Sequence, residues 1–448
     1  MSENGSVELL LPSLVVAVVV GAAFLLLRYV LSVVQNANPD EVPRKIEKNA
    51  KEVSDQKRQS QTHIVSNKKK KTIDNRLGRN DKTFTDKWLK TSMKGHTGQV
   101  LDMDYSSNGR LLASCSDDRT VILWDIKDIN QKDRKSLRVN IEFDYPTFVK
   151  WSPDNKAFLI TKYNENTVEV YKLEKKKDGW LSQPSKAATF DKNHNEDIIA
   201  MDIAQNGKFI MTCSKKNQLI VWNLKGQIMG QVDTYLMYTN QAKITPCSKF
   251  IVSCGFAPDV KVWEVICNKS GEVQDVQRVF ELCGHKSEVY DVSFDTDTSH
   301  ITSISKDGTW KLFDTKIDYK KGEDPHLKST GQHNHNGPSK ITLSPDAEVV
   351  VVSSMSSLYF YSSKSGVLDR LIENVYAGDV TNMFFEPAGK FLFTSGDKQV
   401  RVFHNVTGYK QGILTAKEKL KSNQTSATKE RLEKLIQDNQ RIINEIEN

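Results

Sequence analysis

None of the sequence patterns that hold a nucleotide, a catalytic metal or an acyl-transfer nucleophile occurs in this chain. No GxxxxGK[ST] or GxGxxG loop is present to cradle phosphates, no HExxH helix to hold zinc, and no GxSxG turn to expose a serine. Cysteine is scarce and scattered: Cys115, Cys213, Cys247, Cys254, Cys267 and Cys283 form no CxxC pair. That spacing demands neither a zinc site nor a disulfide framework, so a reducing compartment is the simplest home. Cys115 and Cys213 sit inside apolar strand patterns, where a small thiol packs as a core residue. His333 and His335 are the one close histidine pair, in a polar stretch read as a solvated loop and not a metal site. No enzyme, no cofactor and no small-molecule substrate is expected.

Positive charge is concentrated in one region. The formal net charge of the chain is +7. Residues 41–93 alone hold 15 Lys or Arg and 7 Asp or Glu, a net +8. Just upstream, Leu9 to Leu27 is an uninterrupted run of 19 uncharged residues, resuming after Arg28 as far as Val34. About 20 apolar residues span a hydrocarbon core, so residues 9–34 are expected to form a transmembrane helix. The tail before it has Glu3 and Glu8 but no basic residue, unlike a signal peptide. Arg28, Arg44, Lys45, Lys48 and Lys51 all follow the run. Basic flanks stay cytosolic, which places residues 1–8 in the lumen and everything after the helix in the cytosol. Four glycosylation sequons, at Asn4, Asn268, Asn405 and Asn423, offer a test of that topology. Residues 35–83 show no period of 2 or 3.6 and read as a disordered basic linker. Its run Lys68, Lys69, Lys70 and Lys71 is a candidate contact for RNA or lipid head groups; the plainer reading is a charged spacer.

From about residue 84 a unit of 40–50 residues repeats seven times. It reads as an alternating strand, a turn, a strand ending in small residues, a tight polar turn, and a strand ending in an aromatic. The fullest copies are GHTGQVLDMDYSSNGRLLASCSDDRTVILWDI and GHKSEVYDVSFDTDTSHITSISKDGTWKLFDT. The closing aromatics are Trp124, Tyr171, Trp222, Trp263, Phe313, Tyr361 and Phe403. Repeats of this length signal a propeller or solenoid, and closing a ring of sheets protects their edges. The expected fold is all-β: a seven-bladed propeller over residues 84–408, with the N-terminal transmembrane helix and a C-terminal α-helix as appendages. The last repeat lacks an outer strand, and the segment from Thr85 to Met93 is well placed to supply it.

These repeats resemble the WD-repeat family. The resemblance implies a hydrogen-bonded chain within a blade, from His96 through Ser114 to Trp124, with Asp118 behind the imidazole. The fifth repeat carries His285, Ser303 and Asp307, but Phe313 has no indole N–H to finish the chain. The second, fourth, sixth and seventh repeats lack the histidine. These residues are read as structural. Stretches such as SCGFAPDVKVWEV and SGDKQVRVFHN carry the likeness further, to an endoplasmic-reticulum branch of the family. That branch implies residence in the endoplasmic-reticulum membrane and binding to the activated stress kinase of the unfolded-protein response, with mRNA or ribosomes as further partners.

Residues 415–448 shift to a helical period, with Leu432, Leu435, Asn439, Ile442 and Ile446 on an a/d stripe. The stripe fits a coiled coil or packing against the propeller equally well. The leading functional reading is an adaptor. A phosphorylated partner would need convergent basic side chains, for which Arg119 and Lys306, both in tight turns, are the candidates. The alternatives are an exchange factor for a small coat GTPase, whose membrane span would follow the propeller, or an RNA tether. Deleting residues 41–93 would separate the tether from the adaptor.

Overall fold

The computed structural model describes residues 84–448, except residues 128, 130–133, 175, 178–179, 334–336 and 423–424. The expected transmembrane helix, the linker with Lys68–Lys71, His335 and the sequons at Asn4 and Asn423 all lie outside the described residues. Among the described residues, no helix is long and apolar enough to cross a membrane.

Seven four-stranded antiparallel sheets follow one another around a ring. Blades one to six span residues 100–140, 146–189, 198–233, 239–282, 289–332 and 339–372. Within each, the strands pair in chain order from the central channel outwards. The middle strands are buried on both sides because each sheet packs against two neighbours. In blade six, Val349–Ser354 is VVVVSS and every residue is buried. Outer strands meet solvent, and Ser185–Thr189 of blade two is almost wholly exposed. Continuous apolar runs in the middle and polar edges outside are what a two-sided burial gradient requires. All seven closing aromatics are buried, from Phe403 at 0% exposed to Tyr171 at 8%.

Blade seven joins the two ends of the domain. Its first three strands occupy residues 382–404, and its outer strand is Leu89–Lys94, paired antiparallel with Gln399–His404. Just ahead of that strand, Trp88 is 0% exposed. Its ring meets Phe360 edge-on at 5.1 Å and lies under the Arg370 guanidinium at 4.7 Å. Asp86 accepts a hydrogen bond from the Trp88 backbone N–H and pairs with Arg370, both at 2.8 Å.

The C-terminal region differs from the sequence expectation. The propeller ends at His404, and two helices follow: α1 (Val406–Leu420) and α2 (Ser426–Glu447). Gly408 and Gly412 weaken the helical pattern of α1, which hid it in the sequence. Packing overrides that: Val406, Ile413 and Ala416 are buried, and the Asn405 side chain caps the helix by accepting from Gly408 N–H. The inward face of α2 is Ile436, Ile443 and Ile446, against the cluster that holds Trp88. Asn439 donates its amide to the Tyr409 carbonyl at 3.4 Å, and Leu435 is 41% exposed. The stripe is used for packing within the chain: Leu432, Asn439, Ile442 and Ile446 are half-buried as expected, while Leu435 turns outward and Ile436 and Ile443 join the contact.

Candidate docking surface

The turns of an antiparallel blade fall alternately on the two faces of the ring. One face carries the turns between second and third strands together with the loops that lead from each blade to the next. The histidine networks lie just beneath it. His96 Nε2 accepts from Ser114 Oγ at 2.8 Å, and Trp124 Nε1 donates to the same Ser114 Oγ at 2.9 Å. Nδ1 of His96 faces Asp118 at 3.1 Å. Burial pushes the Asp118 carboxyl up, but hydrogen bonds from Thr120, the Thr97 N–H and His96 outweigh it and hold the group at about 2. The residue types match a hydrolase triad, yet Ser114 is 0% exposed and its hydroxyl is already engaged on both sides. The chain of bonds therefore locks a loop to a sheet. In blade five, His285 repeats it with Ser303 at 2.8 Å and Asp307 at 3.0 Å, and Phe313 leaves the last link unmade.

Two variants of this lock escaped the sequence pattern. In blade three, His194 bonds Thr212 at 2.7 Å and Gln218 at 3.0 Å, and Trp222 donates to Thr212 at 2.7 Å. Thr and Gln replace the Ser and Asp that the motif demands, so a search for those letters passes over it. In blade seven, Tyr376 donates to the Thr394 carbonyl at 2.8 Å. His333 is also not a solvated loop residue: it is 1% exposed and its Nδ1 meets the Tyr361 hydroxyl at 2.8 Å. Burial lowers the pKa of His194 to about 4. Between the ordinary value of 6.5 and 4 the unfolded chain takes up a proton that the folded chain refuses, so acidification costs stability in that window. His194→Gln removes this penalty with the imidazole. The stability lost in that variant, read from urea midpoints against the parent, should shrink as the pH falls from 6.5 to 4. A constant difference would show that His194 protonates freely in the fold.

The first strands line a central cavity of about 220 Å3. Around the ring their charges alternate: Asp102 and Asp104, then Lys150, Asp202, Lys243, Asp291, Lys340 and finally Asn382. Two signs cannot alternate around seven positions, and the neutral asparagine fills the odd place, donating its amide to Asp102. The carboxylates also stitch blades together. Asp102 accepts from Val149 N–H at 3.0 Å, Asp202 from Ile244 N–H at 2.9 Å and Asp291 from Ile341 N–H at 3.0 Å. Lys243 donates to Asp291 at 2.8 Å and to the Val292 carbonyl at 2.6 Å. Burial raises Asp104 to about 7 despite Lys150 beside it. This belt neutralises itself, and the channel is a structural seam.

Arg119 and Lys306 both lie on the face above the histidine networks, in the second-to-third-strand turns of blades one and five. The structure does not bring them together. Lys306 sits 4.0 Å from Glu288. The prominent groups on that face are instead apolar. Phe143 is 89% exposed, Tyr235 70%, Met237 67% and Met355 58%, with Tyr163, Tyr238 and Phe256 also exposed. Tyr145 stacks on Tyr163 at 4.8 Å, and Tyr238 meets Phe256 edge-on at 6.2 Å. The sequence reading missed these residues. The signal was present: FDY, TYLMY and GFAP put bulky apolar residues where turns usually take glycine, asparagine or aspartate.

Comparison with known proteins agrees with this architecture. The "WD domain, G-beta repeat" family model matches residues 87–125, 185–223, 276–314 and 372–404. Each match runs from an outer strand through the closing aromatic of the next blade, covering blades one, three, five and seven. Those are the blades in which His96, His194, His285 or Tyr376 bonds the second strand. Transducin beta-like protein 2 of Homo sapiens is 40% identical over 356 residues, 79% of this chain and 80% of the human protein. The chain belongs to the transducin beta-like protein 2 family. The Mus musculus protein matches to the same extent. Actin-interacting protein 1 of Drosophila melanogaster is 22% identical over 322 residues, 70% of this chain and 47% of its own length. A transducin beta-like protein 2 relative is thus a WD-repeat propeller, a fold that serves protein–protein interaction.

Proposed function

We propose that this chain is a membrane-tethered docking scaffold, held in the endoplasmic-reticulum membrane by residues 9–34 with its propeller in the cytosol, and that its partner is the activated stress kinase of the unfolded-protein response. The observation behind a docking role is the set of large apolar side chains held out on one face, above histidine networks whose reactive atoms are sealed. Apolar patches of this kind on a soluble domain mark interaction sites. The basic linker, with Lys68–Lys71, is assigned to RNA or lipid contact.

Two structural facts shape the test. Asn405 is 3% exposed and caps α1, so its sequon is closed in the folded chain. Asn268 lies in a surface turn of blade four and is the described sequon that reports topology. A deletion reaching residue 93 would remove Trp88 and the closing strand, so the linker deletion must end by residue 83. In cells under folding stress, the full chain and the variant lacking residues 41–83 should both recover the kinase. Only the full chain should crosslink RNA. A glycan on Asn268, or no kinase recovered with the full chain, would overturn the proposal.

A further inference from the structure

Four of the exposed apolar residues stand on left-handed backbones that glycine and asparagine adopt far more readily than bulky side chains. Phe143 has φ +62°, Tyr235 +51°, Met237 +65° and Met355 +49°. Left-handed conformations in bulky residues persist only where the surroundings impose them, and they gather at functional sites. Here the imposing contacts are plain. Asp144, 2% exposed, accepts from the N–H groups of Tyr145, Asn164 and Glu165, latching the residue after Phe143 to the second-to-third-strand turn of blade two. In the loop before blade four, Leu236 is 0% exposed between outward-facing Tyr235 and Met237. Asp233 accepts from Tyr235 N–H at 2.6 Å, and Lys261 donates to the Tyr235 carbonyl at 2.8 Å. Both loops are rigid stages that hold apolar side chains out of the fold.

Charge says what lands there. The seven inter-blade loops and seven second-to-third-strand turns of this face contain 14 Asp or Glu and 7 Lys or Arg, a formal −7. The described residues of the opposite face, in its first-to-second and third-to-fourth connections, include 11 acidic and 16 basic ones, a formal +5. The acidic excess on one face of a chain whose total is +7 favours a cationic ligand and disfavours phosphopeptides, RNA and anionic lipid. We infer that the face bearing Phe143, Tyr235 and Met237 binds a basic polypeptide segment of a partner protein, one with bulky apolar anchors that seat among these side chains. This deepens the docking reading above and does not depend on the kinase being the partner.

The test uses the full chain in lipid nanodiscs and a random peptide display library as the probe. Enriched peptides should be rich in lysine or arginine together with leucine, isoleucine or phenylalanine. Their affinity should fall as salt rises. In Phe143→Asn/Tyr235→Asn/Met237→Asn it should fall at least about tenfold, as loss of exposed anchors does. Asparagine tolerates positive φ, so the melting temperature of the triple variant should hold or rise. If the triple variant fails to fold, Phe143→Asn alone carries the same comparison. Enrichment of acidic peptides, no enrichment at all, or undiminished affinity in the variant would overturn the inference. Loss of kinase recovery with peptide binding intact would sink only the partner named above. Kinase recovery with variant-insensitive peptide binding would sink only this surface.

Discussion

Trp88→Ala should lower the unfolding free energy by about 3–5 kcal/mol, the range for truncating a buried tryptophan. The residue is fully buried and shares a cluster with Phe360, Val406, Ile413 and Ile443. It thus ties the closing strand, blade six and both helices into one body. Without it, Leu89–Lys94 keeps its backbone pairing but loses the anchor at its start. Blade seven would then present a three-stranded sheet with an open edge whenever the strand frays. The indole N–H finds no acceptor among the described residues. Trp88→Phe therefore forfeits area and no hydrogen bond, and should cost much less than alanine. Urea unfolding followed by circular dichroism gives both numbers, and equal costs for the two variants would contradict the packing account.

The central belt makes a second large effect. Lys150→Met should cost about 3 kcal/mol at neutral pH, because removing one partner of a desolvated ion pair leaves the other charges uncompensated. Lys150 lies 3.8 Å from Asp102 and feels the charges of Asp104 and Asp202 on the two neighbouring blades. Burial pulls its own pKa down, but those carboxylates outweigh burial and hold it above the ordinary lysine value. Removing the lysine lifts the pKa of Asp104 and Asp202, of which Asp104 already stands near 7. The folded variant then binds protons at pH values where the unfolded chain, with carboxyls near 3.8, does not. Its deficit against the parent, whose own Asp104 protonates near 7, should be greatest in alkaline solution and shrink as the pH falls to about 7. A deficit that is independent of pH would show that the methionine acts through shape alone.

Much of the fold is legible along the chain because its unit is local. Each blade is a meander whose turns, small residues and closing aromatic lie within one repeat, so Trp124 to Phe403 mark all seven. The His96 and His285 networks were legible for the same reason. His194 was not, since Thr212 and Gln218 supply the same hydrogen-bonding groups with different letters. Helix α1 was hidden because its stability comes from Val406, Ile413 and Ala416 packing on the ring, against a local pattern that glycine weakens. Arg119 and Lys306 look equivalent in sequence, in matching turns of two repeats. Counting repeats puts them on blades one and five, and only the fold shows Lys306 beside Glu288.

The chain alone determined the number of blades, their strand order, the source of the closing strand and the structural role of the Ser–His–Asp sets. These depend on spacing and on side-chain chemistry within a few dozen residues. Tertiary structure decided which residues share a face, that the channel charges alternate around the ring, and that the loops of Phe143 and Tyr235 hold these rings outward on left-handed backbones. Those properties arise only when the curvature of the ring sets residues hundreds of positions apart side by side, and no periodicity along the chain encodes that curvature.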